Sequence, residues 1–282
     1  MILKPDKLPK LIRGMTMIKC QNIHVTFNPG LATQKKALRG INLEIEAGQF
    51  VSVIGSNGAG KSTLLNCIAG DILSNRGELC FADKNVTKLQ ANKRTKDVAR
   101  VFQDPLAGTC ANLTVEENLA LAYGRGKTGG FKLAVNNQLR GIFQEQLQRL
   151  DLGLEDRLKS EMGLLSGGQR QSVSLLMAAL QPSKILLLDE HTAALDPKTA
   201  ALILKISKEI IAEKQLTVLM VTHSMKQALE YGSRTLMLHE GKIVFDLSGK
   251  EREGLEVKDL LALFSKVKDN QEELDDDKLL LG

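Results

Sequence analysis

Apolar residues fall into two kinds of run along this 282-residue chain. Some are short and nearly unbroken. Phe50 to Ile54, "KILLLDE" at 184–190 and "LTVLMVTH" at 216–223 are apolar on both faces, as strands covered from both sides are. Others recur at three- and four-residue spacing, the period of a helix with one buried face. "MTMIKCQNIHVTF" alternates like a strand, and "INLEIEAGQFVSVIG" reads as two strands split by a turn at Ala47-Gly48. A helix over Lys61 to Ala69 follows, then a strand from Val98 to Phe102 that runs into Gln103. From about 105 to 180 the pattern is helical. "LTVEENLALAY" carries Thr114 and Glu117 at capping-box spacing, "GRGKTGGF" is a flexible loop, and "LAVNNQLRGIFQEQLQRLDL" repeats at helical spacing. Strands then return around the helix "PKTAALILKISKEIIAE", and "RTLMLHEGKIVFDL" predicts a hairpin turning at Glu240-Gly241. Alternating strands and helices predict a three-layer α/β sheet, with 105–180 as an inserted helical subdomain.

The ends read differently. Residues 1–16 are basic and proline-interrupted, which suits a flexible extension; a basic arm, or a start at Met15 or Met17, are the alternatives. After 250, "VKDLLALFSKV" has an amphipathic stripe that predicts a docked last helix, and "QEELDDDK" is an acidic, solvated tail. The length allows one large domain or two modest ones. A formal charge of +5 is too mild to argue for nucleic acid. Cys20, Cys67, Cys80 and Cys110 show no paired spacing, so neither a disulfide framework nor a metal knuckle is expected, and a reducing compartment is. No apolar stretch has bilayer length and the N-terminus has no apolar signal core. A soluble cytoplasmic protein is the expectation, with any membrane role supplied by a partner.

"VSVIGSNGAGKST" fits the phosphate-loop template, with Gly55, Gly60, Lys61 and Ser62 at the required positions and the confirming context of a buried strand before and a helix after. The loop Gly55, Ser56, Asn57, Gly58, Ala59 and Gly60 would wrap its N–H groups round phosphates as a nest. Lys61 would bring a charge to the β- and γ-phosphates, Ser62 a hydroxyl to Mg²⁺, and Thr63 a further phosphate contact. "ILLLDE" ends a buried strand in two acids: Asp189 is the candidate Mg²⁺ ligand and Glu190 the candidate base for an attacking water. "VLMVTHS" brings His223 to a strand end, where it can orient water and Glu190. Gln103, at a third strand end, is placed to reach metal or water when the helical insert moves. "LSGGQRQ" opens an apolar helix with a Ser-Gly-Gly turn, a second anion site in a chain that already has one.

The cradle, "VFQDP", "LSGGQRQ", "ILLLDEHTAALDP" and "VTHS" occur in that order, and over most of residues 17–250 the chain resembles the nucleotide-binding subunit of ATP-binding cassette (ABC) transporters. The resemblance implies a P-loop NTPase three-layer core with an antiparallel β subdomain and an inserted α-helical subdomain. It implies ATP and Mg²⁺ as cofactors and a head-to-tail pairing with a second copy or a paralogue. In that pairing Ser166, Gly167 and Gly168, with Gln169 nearby, bind the partner's ATP, and the Asp196 loop crosses the interface. By the same likeness Phe27 stacks on adenine; a core strand aromatic is the alternative. A groove near 103–123 would take a helix of a separate transmembrane permease. His191 stands where the family commonly has proline and Ala193 where serine is common; His191 is read as a surface loop residue, and His24 and His239 as structural.

The resulting expectation is the ATP-hydrolysing subunit of a bacterial importer, peripheral on the inner face of the cell membrane and served by an extracytoplasmic substrate-binding protein; "TFNPG" and "EHTAALDP" resemble importer ATPases that work with amino-acid-type permeases, which implies amino-acid-type cargo. Lipid or lipoprotein extraction, or export, is the alternative. A soluble ABC ATPase of DNA repair or ribosomes fits less well, because there is one cradle and no heptad run.

Overall fold

The computed structural model describes residues 14–125, 135–180 and 183–266. Strands β1 (Thr16–Phe27), β2 (Lys35–Glu46), β4 (Arg76–Phe81) and β5 (Lys84–Asn85) form an antiparallel sheet of order β2-β1-β4-β5. Strands β3 (Phe50–Gly55), β6 (Val98–Val101), β7 (Ile185–Asp189), β8 (Thr217–Val221), β9 (Arg234–His239) and β10 (Lys242–Ser248) form the central sheet, ordered β10-β9-β3-β8-β7-β6. All its pairings are parallel except the β9–β10 hairpin, which turns at Glu240-Gly241 as expected.

Two cores lie on the two faces of that sheet. Along β7, Ile185 and Leu187 face a cluster shared with helix α1 (Lys61–Ala69) and the antiparallel sheet. Leu186 and Leu188 face helices α3 (Val115–Gly124), α4 (Asn137–Gln148), α5 (Gly167–Ala179) and α6 (Pro197–Lys214). A strand covered on both sides has no polar face to show, which is why the β7 and β8 runs are unbroken. The one-turn helix α2 (Ala91–Arg94) and α7 (Met225–Tyr231) complete the core layers, and 257–266 form helix α8, whose Leu260 is buried against Ala228 and Met237.

Helices α3, α4 and α5 all fall between β6 and β7, the predicted position of the insert. The Thr114/Glu117 capping box is formed. Helix α4 starts later than its apolar spacing suggests, because Asn136 caps it by accepting from the Leu139 N–H. Residues 1–13, most of "GRGKTGGF" (from 126) and the acidic run after 266 lie outside the described residues. Among the described residues no helix is long and apolar enough to cross a membrane.

Candidate nucleotide site

The C-terminal ends of β3, β7 and β8 lie side by side, the place where open α/β sheets present their loops to ligands. From β3 the chain turns through Ser56–Gly60 into α1. Gly60 takes φ +102°, and a Cβ on it would sit 2.6 Å from the Ala37 carbonyl oxygen. Only glycine lets the loop close against β2 there. The Gly241 N–H donates to the Ala59 carbonyl at 2.9 Å, so the β9–β10 turn props the loop from behind. Gly60 caps α1 without a side chain, which leaves the first-turn N–H groups facing outward as an anion site. Lys61 Nζ donates to the Gly55 and Ser56 carbonyls at 2.8 and 3.0 Å, curling the ammonium over the cradle. Burial pushes its pKa down, while Glu190 and Asp189 pull it up.

At the end of β7 the backbone does something the strand pattern does not announce. Glu190 adopts φ +46°, a left-handed conformation uncommon for a side chain of this kind, and its N–H is held by the Val221 carbonyl at 3.0 Å. The turn aims its carboxylate into the cleft. There His223 Nε2 lies 2.7 Å from Glu190 Oε1. The loop carrying His223 is fixed by Thr222, whose Oγ1 accepts from the Ser224 N–H at 3.0 Å and donates to Gln227 Oε1 at 3.0 Å. Gln227 Nε2 reaches Thr192 Oγ1 at 3.5 Å, tying the two strand-end loops together. A carboxylate held by an imidazole beside a phosphate cradle is equipped to take a proton from water and to keep its direction.

A cleft of about 480 Å³ gathers these parts. Its lining includes Phe27, Asn57, Gly58, Ala59, Gly60, Lys61, Ser62 and Thr63, with Glu190 and His223. Gly55 and Ser56 lie behind it as acceptors for Lys61. Phe27 is over a third exposed at the end of β1, on the cleft rather than in the core. Asn28, Thr33, Lys35 and Ala37 line the same wall and carry no motif in the sequence; the β1–β2 register, which pairs Lys35 with Phe27, brings them there.

Two members expected at the metal also stand outside that lining. Gln103 is exposed beyond β6. Asp189 is buried, and its Oδ2 accepts from Arg100 Nη2 at 2.7 Å. A hydroxyl from Ser62 and a carboxylate from Asp189 are hard oxygen donors of the kind that suits Mg²⁺; two such groups are too few to cage an ion alone, and phosphate oxygens would have to complete its shell.

Ser166, Gly167, Gly168 and Gln169 are also absent from the cleft. Ser166 caps α5: its Oγ accepts from the Gln169 N–H at 3.2 Å. Gln169 Oε1 is occupied by the Ser166 N–H and Arg157 Nη1. Asp196 caps α6, accepting from Lys198 N and Thr199 N, and Thr199 holds its pKa down. His191 corrects an expectation. It is not a surface loop residue but 3% exposed, with Nε2 3.3 Å from Ser207 Oγ on α6. The Ser207 hydroxyl donates to the Ile203 carbonyl, so His191 Nε2 is the donor of the pair, and burial pushes its pKa down to about 4.

The ABC transporter family profile matches residues 38–193, from β2 through the Glu190 turn. A tyrosine transport ATP-binding protein of Clostridioides difficile (strain R20291) is 44% identical over 88% of this chain and 98% of its own length. The chain belongs to the ABC transporter family. A phosphonates import ATP-binding protein of Lactococcus lactis subsp. cremoris (strain SK11) is 36% identical over 83% of this chain and 94% of its own. Among solved structures, a dimeric bacterial ABC transporter cassette is 30% identical with TM-score 0.72, covering 82% of this chain and 98% of that one. This ABC ATPase thus has the P-loop NTPase fold and is an ATP-binding subunit of an ABC transporter.

Proposed function

We propose that this chain hydrolyses ATP at the Phe27–Lys61–Glu190–His223 cleft and energises a bacterial importer, peripheral on the inner face of the membrane. The observation that carries it is the 2.7 Å His223–Glu190 contact on the rim of a phosphate cradle. The cradle loop Gly55–Gly60, with Lys61 and Thr63, holds the phosphates, and Phe27 stacks on the base. Glu190 takes the proton of the attacking water, and His223 keeps that carboxylate directed. Mg²⁺, held by Ser62 and Asp189 with Gln103 reaching it when the helical insert moves, would neutralise charge developing on the phosphates. Ser166, Gly167, Gly168 and Gln169 of a second copy or paralogue complete the site, and the Asp196 loop lies in that interface.

The domain division follows the same reading: an ABC ATPase unit over 17–250, an extension before it, and a C-terminal helix and acidic tail after. Separate permease subunits receive the closing and opening of the pair, and an extracytoplasmic binding protein delivers the cargo. The name of the C. difficile relative supports amino-acid cargo. Tagged Glu190→Gln protein, purified from detergent-solubilised native membranes, should carry a polytopic membrane protein in near-equal amount and dimerise with ATP. Monomer at saturating ATP and Mg²⁺, or ribosomes in place of the permease, would overturn the proposal.

A further inference from the structure

Arg100 has no part in the cradle, yet its guanidinium touches the carboxylate assigned to the metal. Nη2 donates to Asp189 Oδ2 at 2.7 Å, and Nη1 donates to Asn66 Oδ1 at 2.6 Å and Asp71 Oδ2 at 2.9 Å. The plane lies over the Phe102 ring, 4.5 Å from its centroid. Both the Arg100 and Asp189 side chains are only 11% exposed. The arginine is therefore fixed by α1, by the segment after it and by the residue before Gln103, independently of any nucleotide.

A buried carboxylate needs a counter-charge, and a divalent cation and a guanidinium compete for the same one. We infer that Arg100 is a positioning residue that serves as the resident counter-ion of Asp189, and that it makes metal capture depend on ATP phosphates. With Arg100 in place, Asp189 is already neutralised and has little affinity for a bare dication. Phosphate oxygens arriving in the cradle supply the negative charge that outweighs the repulsion. The exposed Asp71 tunes the device, since it draws off part of the guanidinium charge. The inference rests on the reading of Asp189 as the metal carboxylate.

The test is Mn²⁺ binding to the full chain, followed by the electron paramagnetic resonance signal of free Mn²⁺, without nucleotide and with a non-hydrolysable ATP analogue. Arg100→Met should raise nucleotide-free Mn²⁺ affinity by about tenfold or more, from removal of a cation beside the site. Arg100→Lys, which keeps the charge but loses the fork, should stay within about threefold of the unmodified protein. A merely structural role would make the Lys and Met variants alike. Asp71→Asn, on an exposed side chain that threatens no fold, should lower Mn²⁺ affinity in the analogue-bound state by about threefold. An unchanged or weaker affinity in Arg100→Met, or no shift in Asp71→Asn, would overturn the inference. Adding Asp189→Asn to Arg100→Met separates the two readings. Loss of the gained Mn²⁺ supports both, whereas a gain that survives shows that the metal is not on Asp189.

Discussion

Gly168→Ala tests how the second anion turn is built. Gly168 opens α5 against the first turn of α6, and a Cβ on it would overlap the Thr199 Cγ2 methyl, while Thr199 Cβ and Oγ1 would lie at 3.5 and 3.6 Å, ordinary contact. Overpacking of this kind costs about 1–3 kcal/mol, and alanine returns up to about 1 kcal/mol of helix propensity. A net destabilisation of about 1–2 kcal/mol follows, read as a shift in urea midpoint at unchanged slope. Thr199→Ser deletes only the offending methyl and keeps the hydroxyl beside Asp196. The double variant should therefore regain the lost stability, with a coupling of about 1–2 kcal/mol. If Gly168→Ala is instead stabilising, or if Thr199→Ser restores nothing, the packing argument is wrong. ATP turnover then separates two demands on the glycine. Turnover that returns with stability assigns Gly168 to the α5–α6 contact; turnover that stays low in a stable double variant assigns it to the approach of the partner's phosphate.

Because His191 is buried with a pKa near 4 against an ordinary value of 6.5, the unfolded chain takes up its proton first as pH falls. Its contribution is complete above pH 6.5 and shrinks toward pH 4, by about 2 kcal/mol between pH 7 and 5, so His191→Gln should flatten that part of the unfolding profile relative to the unmodified protein. Arg94, 1% exposed, donates to the carbonyls of Cys67, Ile68, Val86, Thr87 and Leu89. Arg94→Met removes the guanidinium donor from all five, leaving Val86 with its Leu89 N–H partner, and should cost about 3–5 kcal/mol in chemical denaturation, with a cost under about 1 kcal/mol counting against the clamp. Lys61→Ala should weaken ATP binding by about tenfold or more in calorimetry, while normal affinity would remove Lys61 from the cradle.

Legibility in the sequence followed the range of the interactions involved. Helix α1 begins at Lys61 and ends at Ala69 as expected because a glycine loop and a left-handed Gly70 bound it, both local signals. The Thr114/Glu117 box was readable for the same reason: a cap spans three residues. The strands β7 and β8 were readable as buried because their runs have no polar face. What escaped depends on distant partners. His191 is buried by Ser207 and its neighbours sixteen residues on, across the turn from strand to α6. Arg100 looks like a polar interruption of "VARVF", and only the fold brings Asn66, Asp71 and Asp189 round it. The left-handed Glu190 is more instructive still. Its identity is legible as chemistry, but its conformation is set by a hydrogen bond to Val221 in the neighbouring strand.

The two anion sites of the chain explain each other on the proposed assembly. The cleft's lining offers Lys35, Lys61 and the α1 N–H groups on one side, and Glu190 with His223 at the hydrolytic end. None of its lining residues comes from Ser166–Gln169. That second turn has the Ser166 cap and the N-terminus of the thirteen-residue helix α5. Each turn alone binds an anion weakly, since a helix terminus in water contributes about a kilocalorie per mole or less. Brought together across two chains, with water excluded, their donors act in a lower dielectric and on a phosphate already charged by the cradle. Affinity between the chains then exists only while the γ-phosphate is present to join them. Placing the carboxylate base next to that phosphate makes the reaction itself the event that releases the pair.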